Sequence, residues 1–230
     1  MMGWAEYTLA LAAFVGSHFV PRIGGLRDRL IARFGRRTYF SVYGLLSIAL
    51  LVWVIVAAGR APFVELWPQL PWMRWVPNLA MPVATVLVAA GFGIAQPYTL
   101  GGKRDAHIDP AAPGLAAITR HPLFLALALW ATAHLVVNGD LAHVILFGIF
   151  ALLAIAAIPA FDARARRMLG PSAAPYFFAA TSILSLEPLT RAAWRRENGG
   201  RLLRRTAIGL GVWALVLLSH GAVIGVSPLP

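Results

Sequence analysis

Long apolar runs separated by short basic segments make up most of this chain. Each run holds roughly 20 mainly apolar residues, which is the length that an α-helix needs to cross the hydrocarbon of a bilayer. The six runs cover, approximately, residues 3–20, 39–58, 79–99, 115–137, 141–160 and 206–226. We therefore predict an all-α fold, a polytopic transmembrane helical bundle of about six spans, in a single membrane domain over residues 1–230.

Composition favours a membrane environment over a soluble core. Hydrophobic residues make up 59% of the 230 residues and charged residues 13%, whereas a soluble domain carries about 25% charged residues. In water such runs could not all be buried, but in a bilayer each run satisfies its backbone hydrogen bonds as a helix. A soluble helical protein is therefore a weak alternative. The absence of cysteine excludes disulfides, thiolate ligands and a cysteine nucleophile.

The twenty basic residues fall almost entirely on alternate connections. Eighteen lie in 21–38, 100–120 and 161–205, and two, Arg60 and Arg74, lie in the loop after the second run. This positive-inside pattern places the three basic segments in the cytoplasm and both termini outside. It indicates a multi-pass protein of the inner (plasma) membrane. The formal charge of +11 is thus interpreted as a topology signal with contacts to the lipid bilayer, and not as a nucleic-acid-binding surface.

Two connections carry further information. Asn138, Gly139 and Asp140 predict a tight turn, which makes the fourth and fifth spans an antiparallel hairpin. Segment 161–205 is too long for an ordinary loop. Its stretch 174–189 mixes aromatic and aliphatic residues, so we expect either a helix lying in the membrane interface or a cytoplasmic segment packed on the bundle.

Histidines in the apolar runs are the candidate functional residues, because a polar group in the membrane is costly without a partner or a purpose. Neutral imidazole is a common haem ligand, whereas the alternative role is a hydrogen bond between helices. Depth along the spans pairs His18 with His121 near the cytoplasmic side, and His134 with His220 near the outer side. The two other histidines, His107 and His143, are expected in loops or at the interface. Carboxylates are few and dispersed, which argues against paired-acid hydrolysis or a carboxylate-rich metal cage.

Three stretches resemble the NnrU family of bacterial membrane proteins, over about residues 3 to 197. They are Gly16-Ser17-His18-Phe19-Val20-Pro21, then Thr119-Arg120-His121-Pro122 with Trp130-Ala131-Thr132-Ala133-His134, and Leu169-Gly170-Pro171. The family is named for genes found near nitrite and nitric oxide reduction functions. It is similar to the plant 15-cis-zeta-carotene isomerase, a haem b membrane enzyme whose iron is held by histidines in the first-span and Trp-x-x-x-His motifs.

The resemblance implies a site for haem b, with His18 and His134 as ligands of the haem iron. Depth along the spans instead pairs His18 with His121, so His121 is the alternative second ligand. Ala131 stands where the isomerase has a cysteine that serves as an alternative ligand. No catalytic residue is assigned by the sequence.

Three functions follow from these resemblances. The first is a redox-linked isomerase acting on a hydrophobic polyene of the carotenoid type, or a redox role in nitrogen-oxide respiration. The second is a non-enzymatic accessory or assembly protein for denitrification, with a respiratory complex as its partner. The third, which has the least support, is a membrane methyltransferase, because Arg120-His121-Pro122 is similar to a motif of isoprenylcysteine carboxyl methyltransferases.

Overall fold

The chain is mainly helical in a computed structural model, which describes residues 2–106 and 108–229. The helices of the described residues are α1 (Met2–Phe19), α2 (Leu26–Phe34), α3 (Arg36–Arg60), α4 (Trp75–Gly91), α5 (Pro122–Val137), α6 (Leu141–Ala180) and α7 (Ala192–Ile224). The same residues contain no strand, and the one isolated bridge joins Glu65 and Asp140. The predicted all-α fold is confirmed.

Four helical segments of the described chain are long and apolar enough to cross a membrane: α3, α4 with the turn before it, α6 and α7. The bent pair that α1 forms with the segment up to Phe34 makes a fifth if it counts as one span. The remaining apolar helix, α5, has only 16 residues. The expected run 115–137 begins in a short 3-10 helix (Gly114–Ala117) and is α-helical only from Pro122, because a proline disfavours helical geometry at the residue before it. The expected run 79–99 is likewise helical only to Gly91.

The chain divides into two compact units, of which the first comprises Met1–Pro68 and Asn138–Leu146. In this unit α1 packs against α3. The buried stripe of α1 consists of Tyr7, Ala10 and Phe14, and α3 buries Val54, Ala57 and Ala58. The Tyr7 hydroxyl donates a hydrogen bond to the carbonyl of Ala142 (2.8 Å), which satisfies its buried polar end.

The second unit comprises Gln69–Val137 and Phe147–Pro230, and in it α4 packs against both α5 and α7. The rings of Trp130 and Phe147 lie 5.5 Å apart, and those of Phe124 and Phe161 lie 4.8 Å apart. Because the earlier residue of α5 meets the later residue of α6, these helices run antiparallel, as the 138–140 turn predicts.

Helix α6 continues past the predicted span to Ala180, with a break at Gly170. Gly170 has a φ of 72°, which favours glycine, and Pro171 follows it. Beyond Ala180 the chain packs on the loop before α5, since the Arg120 amide donates to the Ser182 carbonyl (2.7 Å) and the Ser185 amide donates to the Ile118 carbonyl (2.8 Å). Residues 174–180 are thus helical, and the residues after Ala180 are hydrogen-bonded to the loop before α5.

Candidate functional site

His18 lies at the end of α1, in the first unit, and is half-buried. Its Nδ1 lies 2.8 Å from the Phe14 carbonyl one turn earlier in the same helix. A carbonyl only accepts hydrogen bonds, so the proton is on Nδ1 and the lone pair of a neutral ring is on Nε2. Aromatic rings surround the imidazole, with the centroid of Phe14 at 4.8 Å and that of Tyr43 at 6.3 Å.

His134 has the same local arrangement in the second unit. Its Nδ1 donates to the carbonyl of Trp130, four residues earlier on α5, at 2.8 Å. The ring packs beside Trp130 (5.6 Å between centroids) and Phe147 (5.3 Å). Trp130 in turn stacks on Phe150 at 5.7 Å. Both histidines thus combine an Nδ1–H held by the backbone with flat apolar neighbours.

Both ring nitrogens of His121 are hydrogen-bonded to side chains. Its Nε2 lies 2.8 Å from Asp162 Oδ1, and its Nδ1 lies 3.0 Å from the hydroxyl oxygen of Thr99. The residue is 1% exposed. Because a carboxylate accepts, Nε2 carries a proton and the Thr99 hydroxyl donates to Nδ1. No ring lone pair is left for a metal, so His121 does not fit the role of an alternative haem ligand in this arrangement.

Arg120 completes a buried polar cluster with His121 and Asp162. Its Nε and Nη2 donate to the two carboxylate oxygens of Asp162 at 2.9 and 2.6 Å, a bidentate pair. Its Nη1 donates to the Thr181 carbonyl at 3.2 Å. Gln96 donates through its side-chain amide to the Arg120 carbonyl. The cluster ties the start of α5 to the middle of α6 and to the segment that follows α6.

Sequence reasoning missed Asp162. It is the one carboxylate in residues 141–180, and it stands two residues beyond the apolar run 141–160. A hairpin turn at 138–140 brings that position to the same end as Arg120 and His121. The lone carboxylate and the hairpin turn together could have identified Asp162 as the partner of Arg120 and His121.

The other described histidines are held locally. The Nδ1 of His220 donates to the Val226 carbonyl (2.8 Å) at the end of α7. The Nδ1 of His143 lies 2.8 Å from a carboxylate oxygen of Asp140. His107 lies outside the described residues.

A separate metal centre is not evident, since residues 2–106 and 108–229 contain no group of three or more His, Cys, Asp or Glu side chains that could hold a metal ion. A haem needs only one or two axial side chains, because the porphyrin supplies the other ligands. By donor chemistry, His18 and His134 fit that role, each in its own unit.

In the motif Arg120-His121-Pro122, which suggested a methyltransferase, the two polar side chains are engaged in contacts within the protein. Arg120 and His121 are 8% and 1% exposed, and both bind Asp162. The arrangement therefore favours a structural role for this motif.

Comparison of the whole chain with known proteins indicates the family to which it is related. No match was found among curated proteins or among solved structures. Residues 6–228 match the family model described as NnrU protein. This match covers nearly the whole chain and includes the three stretches that carry the resemblance. The chain therefore belongs to the NnrU family.

Proposed function

We propose that this NnrU-family membrane protein binds haem b, with Nε2 of His18 and Nε2 of His134 as the axial ligands of the iron. The observation that carries the proposal is the shared geometry of the two side chains. In each, Nδ1–H is hydrogen-bonded to the carbonyl four residues earlier (2.8 Å), which places the lone pair of a neutral ring on Nε2. Metal-bound histidines in proteins commonly donate their other ring N–H to such an acceptor.

The surroundings of the two rings support the same proposal. Carbonyls of Phe14 and Trp130 hold the proton on Nδ1, fix the tautomer and orient each imidazole. The aromatic neighbours Tyr43 and Phe147 offer flat apolar surfaces of the kind that a porphyrin packs against. Bound haem would supply reversible one-electron chemistry, and ligation by two histidines suits electron transfer.

With haem bound, the proposed activity is a redox-linked isomerisation of a hydrophobic polyene, or a redox step linked to nitrogen-oxide respiration. The proposed location is the inner membrane, since the arginine-rich connections then face the cytoplasm. A non-enzymatic accessory role in denitrification is the competing function, and it requires neither haem nor turnover.

The test is the haem content of detergent-purified protein, measured by pyridine haemochrome and by oxidised and dithionite-reduced spectra. We expect near-stoichiometric haem in the wild type and its loss in His18→Ala and His134→Ala. His143→Ala is the matched control, because that ring binds Asp140 and is assigned no ligand role. Far-UV circular dichroism of each variant separates ligand loss from misfolding.

The possible outcomes separate the candidate functions. Haem retained by both His18→Ala and His134→Ala would reject the ligand assignment, and haem lost only in a folded His121→Ala variant would restore His121 as a ligand. Wild-type protein without haem from haem-replete cells would reject the proposal. The accessory role would then stand, and it would be tested by stoichiometric co-purification with a respiratory complex.

A further inference from the structure

A cavity of about 290 Å³ lies in the second unit, between the end of α4, the loop that follows it and the first half of α7. Four cations and one carboxylate line it: Lys103, Arg201, Arg204, Arg205 and Asp109. This volume is near the lower end of the range of ligand sites, about 300–1,000 Å³. It suits a small molecule or a head group.

Hydrogen bonds to backbone carbonyls build the walls of this cavity. On the α4 side, the Gly93 amide donates to the Gly101 carbonyl (2.8 Å) and the Lys103 amide donates to the Ile94 carbonyl (2.9 Å). On the opposite side, the indole N–H of Trp194 donates to the Gly114 carbonyl at 3.1 Å, which ties the 112–115 wall to α7. The cavity is therefore formed before any ligand arrives.

The positive charge of the cavity is not neutralised by the described residues around it. Among the ion pairs of the described chain, none includes Lys103, Arg201, Arg204 or Arg205. Arg205 donates to the carbonyls of Ala89 and Phe92, which fixes its guanidinium at the end of α4. Asp109 uses one carboxylate oxygen to accept from the Ala111 amide (2.8 Å). Cations held together in this way repel one another unless an anion joins them.

The position of the cavity along the chain indicates which anion it meets. Arg205 is the last charged residue before the apolar run 206–226, so the cavity lies where α7 passes from basic to apolar sequence. Its inner end is apolar, since Ile94 and Leu115 belong to a buried cluster with Ala90. Basic cavities at the cytoplasmic ends of membrane helices meet the phosphates of anionic lipids.

We propose that this cavity is a binding site for a phosphate group, supplied either by the head group of an anionic lipid or by a soluble phosphate compound. Arg201 and Arg204 lie three residues apart on one face of α7 and act as the phosphate clamp. Lys103 provides a further point charge from the opposite wall, and Arg205 positions the end of α4.

The test compares two double variants that lose the same charge. Arg201→Gln/Arg204→Gln removes the clamp. Arg167→Gln/Arg196→Gln removes two exposed arginines that do not line the cavity. Thermal unfolding of the purified protein is followed at constant ionic strength with three probes: phosphatidylglycerol in mixed micelles, phosphatidylcholine in mixed micelles, and inorganic phosphate.

We expect phosphatidylglycerol or inorganic phosphate to stabilise the wild type, and phosphatidylcholine to have no such effect. Apparent affinity should fall by about tenfold or more in the clamp variant, since each lost arginine removes charge-assisted hydrogen bonds. The control variant should change by less than about twofold, because exposed charges away from the site are screened. A response to phosphatidylglycerol alone identifies a lipid site, and a response to inorganic phosphate identifies a soluble ligand.

Equal losses in the two double variants would overturn the proposal, because they would mean a diffuse charge effect. The proposal would also be overturned if neither phosphatidylglycerol nor inorganic phosphate stabilised the wild type. Should the clamp variant fail to fold, Lys103→Gln on the exposed loop replaces it. Unchanged affinity in a folded Lys103→Gln protein would then contradict the proposal.

Discussion

At the scale of single residues, the buried cluster of Arg120, His121 and Asp162 contributes to the stability of the fold. Asp162 accepts three hydrogen bonds from two side chains, and its own side chain is 15% exposed. Within the described residues, no buried side-chain nitrogen or oxygen lacks a partner. Removing Arg120 or Asp162 would leave the other as a buried charge without compensation, which costs more than the intact pair contributes.

We expect Asp162→Asn to destabilise the protein by about 3 kcal/mol, because Arg120 keeps its charge in a buried position. Glu187→Gln is the matched control, since Glu187 pairs with Arg191 at side-chain exposures of 54% and 67%. The loss of that exposed pair should cost at most about 1 kcal/mol. Denaturant unfolding in detergent measures both changes. Similar losses for the two variants would show that the buried cluster does not stabilise the fold in this way.

At the scale of elements, close packing of α4 and α7 depends on small residues. Gly209 of α7 is buried, and a Cβ at this position would meet the backbone of Val86. Backbone atoms cannot move aside as the end of a flexible side chain can. Small residues at such crossings let membrane helices approach closely.

Gly209→Ala should therefore force α4 and α7 apart, at a cost of about 1–3 kcal/mol. Gly211, two residues further along the same helix, has open space around it. Gly211→Ala should be neutral or stabilising by up to about 1 kcal/mol, because alanine favours a helix more than glycine does. Thermal unfolding of the pair in one detergent checks the difference. Equal melting temperatures would argue against the contact.

At the scale of the whole molecule, loops that the charge pattern assigns to one side of the membrane are hydrogen-bonded to each other within each unit. In the first unit the Leu66 amide donates to the Gly139 carbonyl (2.7 Å), which joins two loops expected outside. In the second unit Asn78 donates to the Pro228 carbonyl (2.7 Å), which brings the C-terminal segment beside a loop that is also expected outside. The basic segments before α5 and after α6 meet through Arg120 and Ser182. Each of these contacts joins two segments that the charge pattern assigns to the same side, and which side faces the cytoplasm stays a prediction.

The orientation itself is testable because the chain has no cysteine, so one introduced cysteine gives an unambiguous signal. Gln69→Cys lies in a loop expected outside, and Ser172→Cys lies in the segment expected inside; both positions are exposed. A membrane-impermeant maleimide should label Gln69→Cys in spheroplasts and Ser172→Cys only after permeabilisation. The reverse result would invert the predicted topology. Labelling of both positions in intact spheroplasts would contradict the alternation of the loops.

Information local to the sequence was enough for the helical class, whereas the two haem ligands stay a proposal. An apolar run of about 20 residues has few alternatives to a helix in a bilayer, because its backbone must bond internally. The environment of His18 and His134 is also local, since the acceptor of each Nδ1–H is four residues earlier on the same helix. The start of α5 at Pro122 and the end of α4 at Gly91 both differ from the bounds expected from hydropathy.

Tertiary structure decided the contacts between residues that are far apart in sequence. His121 and Asp162 are separated by 41 residues, and only the packing of α5 on α6 brings them within 2.8 Å. That contact removed His121 from the fitting ligands, which no spacing rule could do. The basic cavity likewise requires Lys103 and Arg201 to face one space from segments with no sequence relationship. Hydropathy and charge are properties of positions along the chain. Hydrogen bonds between helices depend on how each helix is rotated about its axis and shifted along its neighbour, and only the folded packing sets these two quantities.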